Sequence, residues 1–325
     1  MRRAVVAVGA VLLLGGCGSP STGAGGSAPT ARSTQQATQA VQSAAPGGQD
    51  VPSDAGALAS MAQSLANQTN APSITAPTGV TPGSVTGGDV SWPQCSPGMG
   101  IPQKKSTGEP MPLPDASFVV VGLTNGPGFV RNPCLKSQVQ WVKIHRLKLG
   151  AYSVVTYPSA ADLAKYGADG PYDASTELGR LKNVGYQQAT YNVGSMGLAG
   201  LATPVVWLDI ENVPDFDWPA NNVPKNAAVV QGAVKGYQDA GYGVGVYSTP
   251  TIWAGIVGGL KLGADVPEWR AAGKTSAAEA VNRCGADWSI QGGSAVLGQW
   301  VEQRRDRDIV CPGVAGDLST WFHQT

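Results

Sequence analysis

The stretch Val205-Val206-Trp207-Leu208-Asp209-Ile210-Glu211 decides the fold. It lies in Pro204–Glu211, the strongest strand in the chain. Side chains along a strand alternate between faces with period two. Val205, Trp207, Asp209 and Glu211 therefore share one face, and Val206, Leu208 and Ile210 share the other. In a parallel barrel the first set points inward and the second meets the surrounding helices. The two carboxylates then stand at the C-terminal end of the strand, where barrels build their active sites.

Working outward, Phe118–Gly122, Lys148–Val155, Gly243–Ser248, Val266–Ala271 and Val296–Val301 read as further strands. Asp89-Val90-Ser91 is strand-like near the start, and Gly316–Phe322 is a short strand candidate at the end. Between them, Asn132–Arg146 has Leu135, Val139, Val142 and Arg146 along one side of a helix. Ala174–Met196 is helical with glycine breaks, and Asn226–Ala240, Thr251–Val257 and Ala277–Arg283 are further helical segments. Strands alternating with helices indicate parallel β-α units. Seven or eight strands in about 240 residues favour a closed barrel over an open sheet. The expected fold is α/β: an irregular TIM-like (β/α) barrel of about eight strands with fewer helices, the last third being poor in helix. No glycine-rich dinucleotide fingerprint follows a strand and opens a helix, and no P-loop is present.

Lys and Arg number 22, Asp and Glu 22, so the net charge is zero and a nucleic-acid partner is not expected. Every aromatic residue lies at or beyond Trp92. A segment without aromatics buries too little apolar area to offset its ordering entropy. The chain therefore divides into a leader, a tether and one domain. Met1-Arg2-Arg3 is a basic start and Ala4–Leu14 an apolar run, too short to cross a hydrocarbon core of about 30 Å. This is the pattern of a secretory signal. Leu14-Gly15-Gly16-Cys17 resembles the bacterial lipobox, in which the cysteine is lipidated and becomes the new N-terminus. The expected organisation is a lipoprotein signal over residues 1–17 ending at Cys17, a Gly/Ser/Ala/Thr/Pro-rich tether over 18–86, and a barrel domain over 87–325. Asp54–Gln68 reads as a marginal helix within the tether. Anchoring at Cys17 places the domain on the outer face of the cytoplasmic membrane, held by lipid rather than spanning it.

With Cys17 consumed, Cys95, Cys134, Cys284 and Cys311 remain. Export and an even count indicate disulfides. Of three possible pairings, Cys95–Cys134 and Cys284–Cys311 are favoured, because each would staple a loop within one end of the domain. Zinc lacks support: there is no C-x-x-C spacing, and His145 and His323 are the only histidines. No metal or other cofactor is expected.

Two acids crowded at a strand end repel when both are ionised, so one pKa should rise. A proton donor beside an ionised partner is the arrangement glycosidases use. A strand-end acid pair satisfied by basic side chains or backbone donors reads equally from the residues alone. Asp89 near the first strand and Asp317 near the last add two candidates, because first and last strands are neighbours in a closed barrel. Arg304-Arg305-Asp306-Arg307-Asp308 reads as a solvated loop.

The order of landmarks resembles glycoside hydrolase family 25, the lysozyme/muramidase barrel. The family's G-x-D-V-S-x-x-Q opening is matched by Gly87-Gly88-Asp89-Val90-Ser91-Trp92-Pro93-Gln94. Its T-x-G-x-G-like turn is matched by Thr124-Asn125-Gly126-Pro127-Gly128, its G-A-Y strand by Gly150-Ala151-Tyr152, and its D-x-E strand by Asp209-Ile210-Glu211. Val246-Tyr247-Ser248, Gln299-Trp300 and Gly316-Asp317-Leu318-Ser319 follow in the family's order. The resemblance implies Glu211 as acid/base, Asp209 as stabiliser of the charged intermediate or nucleophile, and Asp89 and Asp317 as supporting acids. It implies β-1,4 bonds of peptidoglycan as substrate and a monomer acting on the cell envelope, as in poorly characterised domains of actinobacterial secreted proteins. Tyr152, Tyr247, Trp92, Trp207, Trp218 and Trp300 are the candidate sugar-contacting residues, with core packing as the other reading of the tryptophans. The alternative function is a catalytically inactive barrel that binds wall carbohydrate. Departures cluster at the mouth: Trp92-Pro93 and Ser153-Val154-Val155 replace histidines or aromatics, Met99–Asp115 is inserted, and Asn212–Pro224 is an extra loop containing Asp215, Asp217 and Trp218.

Overall fold

The computed structural model describes residues 84–325. The apolar run, Cys17 and Asp54–Gln68 lie outside the described residues. Among the described residues nine strands and six α-helices follow one another: β1 (Thr86–Val90), β2 (Phe118–Gly122), α1 (Leu135–Ile144), β3 (Lys148–Val154), α2 (Ala160–Tyr166), α3 (Glu177–Ala199), β4 (Val205–Asp209), α4 (Val223–Asp239), β5 (Gly243–Ser248), α5 (Pro250–Val257), β6 (Glu268–Ala271), α6 (Ala277–Asn282), β7 (Ala295–Glu302), β8 (Arg305–Val310) and β9 (His323–Gln324). β1 to β8 form a closed ring. β1 through β7 pair in parallel, and β8 returns antiparallel to both β7 and β1. This is the closed eight-stranded α/β barrel the alternation predicts, with fewer helices than strands.

The period-two reading of β4 holds. Val206, Leu208 and Ile210 join the core between sheet and helices, with Val119, Val121, Val229 and Ala233. Val205 and Trp207 join the barrel interior, with Phe118, Val120, Trp269, Leu297 and Phe322. Gly245 on β5 makes room for the Trp207 indole: a Cβ there would sit 2.3 Å from it. α3 and α4 cross with similar intimacy, where a Cβ on Gly185 would lie 1.9 Å from the Val229 carbonyl and one on Gly232 1.9 Å from that of Lys182. Gly185 is a packing site, and none of the glycines breaks α3, which runs from Glu177 to Ala199. α2 has no counterpart in the sequence reading, although Ser159 and Asp162 form a capping box at its start.

The last third departs most. Arg304–Asp308 is no loop: Arg305–Val310 is β8 itself. Gln303 and Arg304 form the whole connection from β7, both with positive φ (52° and 61°), the signature of a two-residue type I′ hairpin. Neither is the glycine or asparagine such turns favour. Glu109, from the inserted Met99–Asp115 segment, clamps the turn by accepting from Arg304 Nη2 at 2.8 Å and facing its Nε at 2.7 Å. Beyond β8, Gly316–Phe322 is mostly a 3-10 element (Ala315–Thr320) rather than a strand. It closes the N-terminal end of the barrel, where Phe322 stacks on Phe118 at 4.4 Å and β9 pairs with Lys148–Leu149.

Both favoured disulfides form. Cys95–Cys134 ties the turn after β1 to the start of α1, and Cys284–Cys311 ties the segment after α6 to the end of β8. No helix among the described residues is long and apolar enough to cross a membrane.

Candidate active site

At the C-terminal end of the barrel a pocket of about 270 Å³ is lined by Asp89 (β1), Tyr152 (β3), Asp209 and Glu211 (β4 and just beyond), Tyr247 (β5), Trp269 (β6), Gln299 (β7) and Asp306 (β8). Ring closure makes this possible. Asp89 is the register partner of Asp306, and Asp209 is the register partner of Tyr247. Two inward carboxylates placed opposite one another on paired strands repel. Such an arrangement costs stability, and costs of this kind cluster at functional sites.

A hydrogen-bonded bridge spans the mouth. The Tyr247 hydroxyl donates to Gln299 Oε1 at 2.6 Å, and Gln299 Nε2 donates to Asp89 Oδ2 at 2.8 Å. Below it, Trp269 Nε1 donates to Asp308 Oδ1 at 2.8 Å. Asp209 is buried, and its Oδ1 has no hydrogen-bond partner among the described residues. Burial pushes the Asp209 carboxyl well above the ordinary range, and neighbouring Glu211 pushes it further. Burial, then Asp306, raises Glu211 to about 7, while Lys104 from the inserted segment draws it back. Asp306 rises to about 6 through burial and the charge of Glu109. Asp89 rises through burial and the charges of Asp306, Asp308 and Asp209, against the Gln299 hydrogen bond. These carboxyls cannot all be ionised together near neutrality. The pocket therefore holds carboxylic acids beside carboxylates, the pairing that general acid catalysis needs.

Of the sequence candidates, Glu211, Asp209, Asp89, Tyr152 and Tyr247 converge here. The other candidates do not. Asp317 sits exposed in the 3-10 element at the opposite end of the barrel, where its carboxylate accepts from the Ser319 and Thr320 hydroxyls at 2.7 Å each. Trp207 is fully buried beneath the pocket, packed on Trp269 and Trp321. Trp300 points away from the pocket, because Gln299 takes the inward position. It packs under α6 with Ala277 and Ala280, with the Arg307 guanidinium 5.1 Å from its ring. Trp92 is half-buried in the turn after β1 and lines no part of the pocket. Trp218 is 7% exposed and offers no sugar-stacking platform; its indole N–H donates to the Glu211 carbonyl at 3.1 Å and pins the backbone carrying that acid.

The sequence reading missed Asp306, Gln299 and Trp269 as site residues. Asp306 takes the place assigned to Asp317. Its signal was present, since Asp306, Asp308 and Val310 alternate with Arg305, Arg307 and Ile309 at the period of a strand, acids inward and arginines outward. Among the described residues, no group of three or more His, Cys, Asp or Glu side chains is placed to hold a metal ion.

No protein-family model matches the chain. Over 67 residues it is 37% identical to a protein of Dictyostelium discoideum named "Probable GH family 25 lysozyme 4". That stretch covers 21% of this chain and 30% of the relative. Among solved structures, a muramidase from Acremonium alcalophilum superposes with a TM-score of 0.47 at 17% identity, over 73% of this chain and 99% of that one. A bacterial lysozyme from Streptomyces coelicolor gives a TM-score of 0.46 at 16% identity, over 74% of this chain and 99% of that one.

Proposed function

We propose that the chain is a glycoside hydrolase that cleaves β-1,4 bonds of peptidoglycan or a related wall glycan. The observation that carries this reading is Glu211, held protonated up to about pH 7 at the barrel mouth beside Asp209, in a pocket lined by two tyrosines, a tryptophan and further acids. Glu211 donates its proton to the departing glycosidic oxygen and afterwards accepts one from water. Asp209, when ionised, faces the positive charge that develops on the sugar ring. The Gln299 bridge and Trp218 position Asp89 and Glu211. The local identity to the Dictyostelium protein and the ordered motifs support the same chemistry.

Release of reducing ends from purified peptidoglycan, by wild type and Glu211→Gln, tests the reading. Wild type should release them and Glu211→Gln should do so at least about 100-fold more slowly. Equal release would remove Glu211 from its role. No release by wild type across pH would support a wall-binding barrel instead. We further propose that the protein is a monomer anchored through Cys17 on the outer face of the cytoplasmic membrane. Cys17→Ser should move it from the detergent phase to the aqueous phase on partitioning, and an unchanged distribution would rule the anchor out.

A further inference from the structure

Beside the carboxylate pocket a second cavity, of about 460 Å³, opens between the segments that follow β2, β3 and β4. None of the acids of the carboxylate pocket lines it, and Asp162, which does, is held by the Ser159 backbone N–H and hydroxyl at the start of α2. Phe129, Tyr157 and Phe216 are half-buried in its walls. Phe129 is held from behind by a stack on Tyr166 at 4.2 Å and an edge contact with Tyr191 at 6.0 Å. Thr156, 3% exposed, also lines the cavity. Its hydroxyl accepts the Gly128 N–H at 3.0 Å, and its own proton has no acceptor among the described residues. Asp215 and Asp217 are exposed at the rim, and neither makes an ion pair with a described residue. Of the nearby cations, Lys225, beside Tyr157, pairs with Glu177 at 2.7 Å, and the charge of Lys104 acts on Glu211. The site thus offers a buried hydroxyl donor, aromatic walls and two free carboxylates.

These three features specify one chemistry: an acceptor such as an amide carbonyl, an aliphatic stem, and a cation at its end. A glycan carrying a peptide has that chemistry wherever the peptide contains a diamino acid. We propose that the cavity binds the peptide stem of the glycan substrate, its diamino-acid ammonium on Asp215 and Asp217, its methylenes against the aromatic walls and an amide carbonyl on the Thr156 hydroxyl. The inference rests on the hydrolase reading above and names what that enzyme recognises besides sugar. The two sites adjoin. A Cβ on Gly126 would lie 3.1 Å from Phe216, in the cavity wall, and 3.4 Å from Lys104, whose charge acts on Glu211. The loop that presents Asp215 and Asp217 also supplies the Trp218 bond to Glu211.

Calorimetry with the tetrapeptide Ala-γGlu-Lys-Ala tests the site without requiring catalysis. The free-amine peptide should bind the wild-type protein, and its Nε-acetylated counterpart at least about tenfold more weakly. Asp215→Asn/Asp217→Asn, at exposed positions, should keep the wild-type melting temperature and weaken the free-amine peptide by a similar factor. Equal affinity for the two peptides, binding unaffected by the double substitution, or no binding at all would overturn the proposal. In hydrolysis, the double variant should show a raised KM on intact peptidoglycan and wild-type kinetics on glycan strands stripped of peptide. Equal loss on both substrates would count against the cavity while leaving the hydrolase reading in place. Absence of release from either substrate by wild type would count against the hydrolase reading and leave the calorimetry to decide the cavity.

Discussion

Gln299 and Asp89 stand 210 residues apart in the chain and 2.8 Å apart at the barrel mouth, Gln299 Nε2 donating to Asp89 Oδ2. The bond exists because β8 lies between β7 and β1 in the closed ring and all three direct polar side chains inward. A hydrogen bond to a charged group contributes about 1.5–3 kcal/mol. Gln299→Leu should therefore slow peptidoglycan hydrolysis about 10- to 100-fold and raise the Asp89 pKa further, since the bond is what opposes the rise. Steady-state rates and carboxyl titration by NMR check both effects.

Asp306→Asn and Asp317→Asn discriminate the two ends of the barrel. Asp306 lines the pocket, raises Glu211 and opposes Asp89 across a strand pair. Its replacement should lower the Glu211 pKa and slow hydrolysis about tenfold or more. Asp317 lies exposed at the far end, so Asp317→Asn should leave the rate within about twofold. Parallel assays of the two variants decide it, and a larger rate loss in Asp317→Asn would refute the placement.

The acid cluster sets the pH response. Glu211 and Asp306 hold their protons to about pH 7 and about pH 6 in the folded chain, above their ordinary carboxyl values of 4.5 and 3.8. Hydrolysis should fall as pH rises through about 7, when Glu211 loses the proton it donates. Stability moves the same way. The native state binds more protons than the unfolded one between the two sets of values, so stability present in acid declines as pH rises from about 4 through about 7. Glu211→Gln should accordingly be more stable than wild type at pH 8, by on the order of 1–3 kcal/mol, despite its slowed hydrolysis. Thermal melts of both proteins at pH 5 and pH 8 test the sign.

Trp218→Phe keeps the ring in the core and removes the N–H that binds the Glu211 carbonyl. The loss of one neutral hydrogen bond is worth about 0.5–1.5 kcal/mol. Hydrolysis should slow roughly three- to tenfold and its pH midpoint should shift, while circular dichroism stays that of wild type. An unchanged pH profile would mean that the indole only fills space.

The disulfides close loops of 39 and 27 residues. Chain-entropy arithmetic gives each about 3–4 kcal/mol. Reduction should lower the melting temperature markedly, and Cys95→Ser/Cys134→Ser should also lower activity, because that bridge ties the turn following the Asp89 strand to α1. Cys284→Ser/Cys311→Ser should affect stability more than rate.

Much of the barrel was legible from local pattern. β2 and β5 are found at the sequence-read bounds, and β4 and β7 match to within a residue or two, because a buried strand in a parallel sheet leaves an apolar run with turn residues at its ends. The pairing of Asp209 and Glu211 was legible for the same reason: period two is a property of the backbone. β8 was not legible as a strand, since its alternation is of charges rather than of apolar and polar residues, and its hairpin lacks glycine and asparagine. Arg307 is tolerated outward because it pairs with Asp115, remote in sequence, at 2.9 Å and lies over Trp300 across the hairpin.

The residue order alone thus settled that this chain builds a β/α barrel and that Asp209 and Glu211 rise together at its mouth, because side-chain alternation and β-α succession are local consequences of chain geometry. Which other acid joins them was decided by the tertiary structure. Closure through an antiparallel β8 brings Asp306 opposite Asp89 and sends Asp317 to the far end. The fate of each tryptophan was likewise settled by packing: Trp207 inward, Trp300 outward, Trp218 onto the Glu211 backbone. Strand direction and the identity of the neighbours across a closed sheet are properties of the whole ring, and no window of sequence contains them.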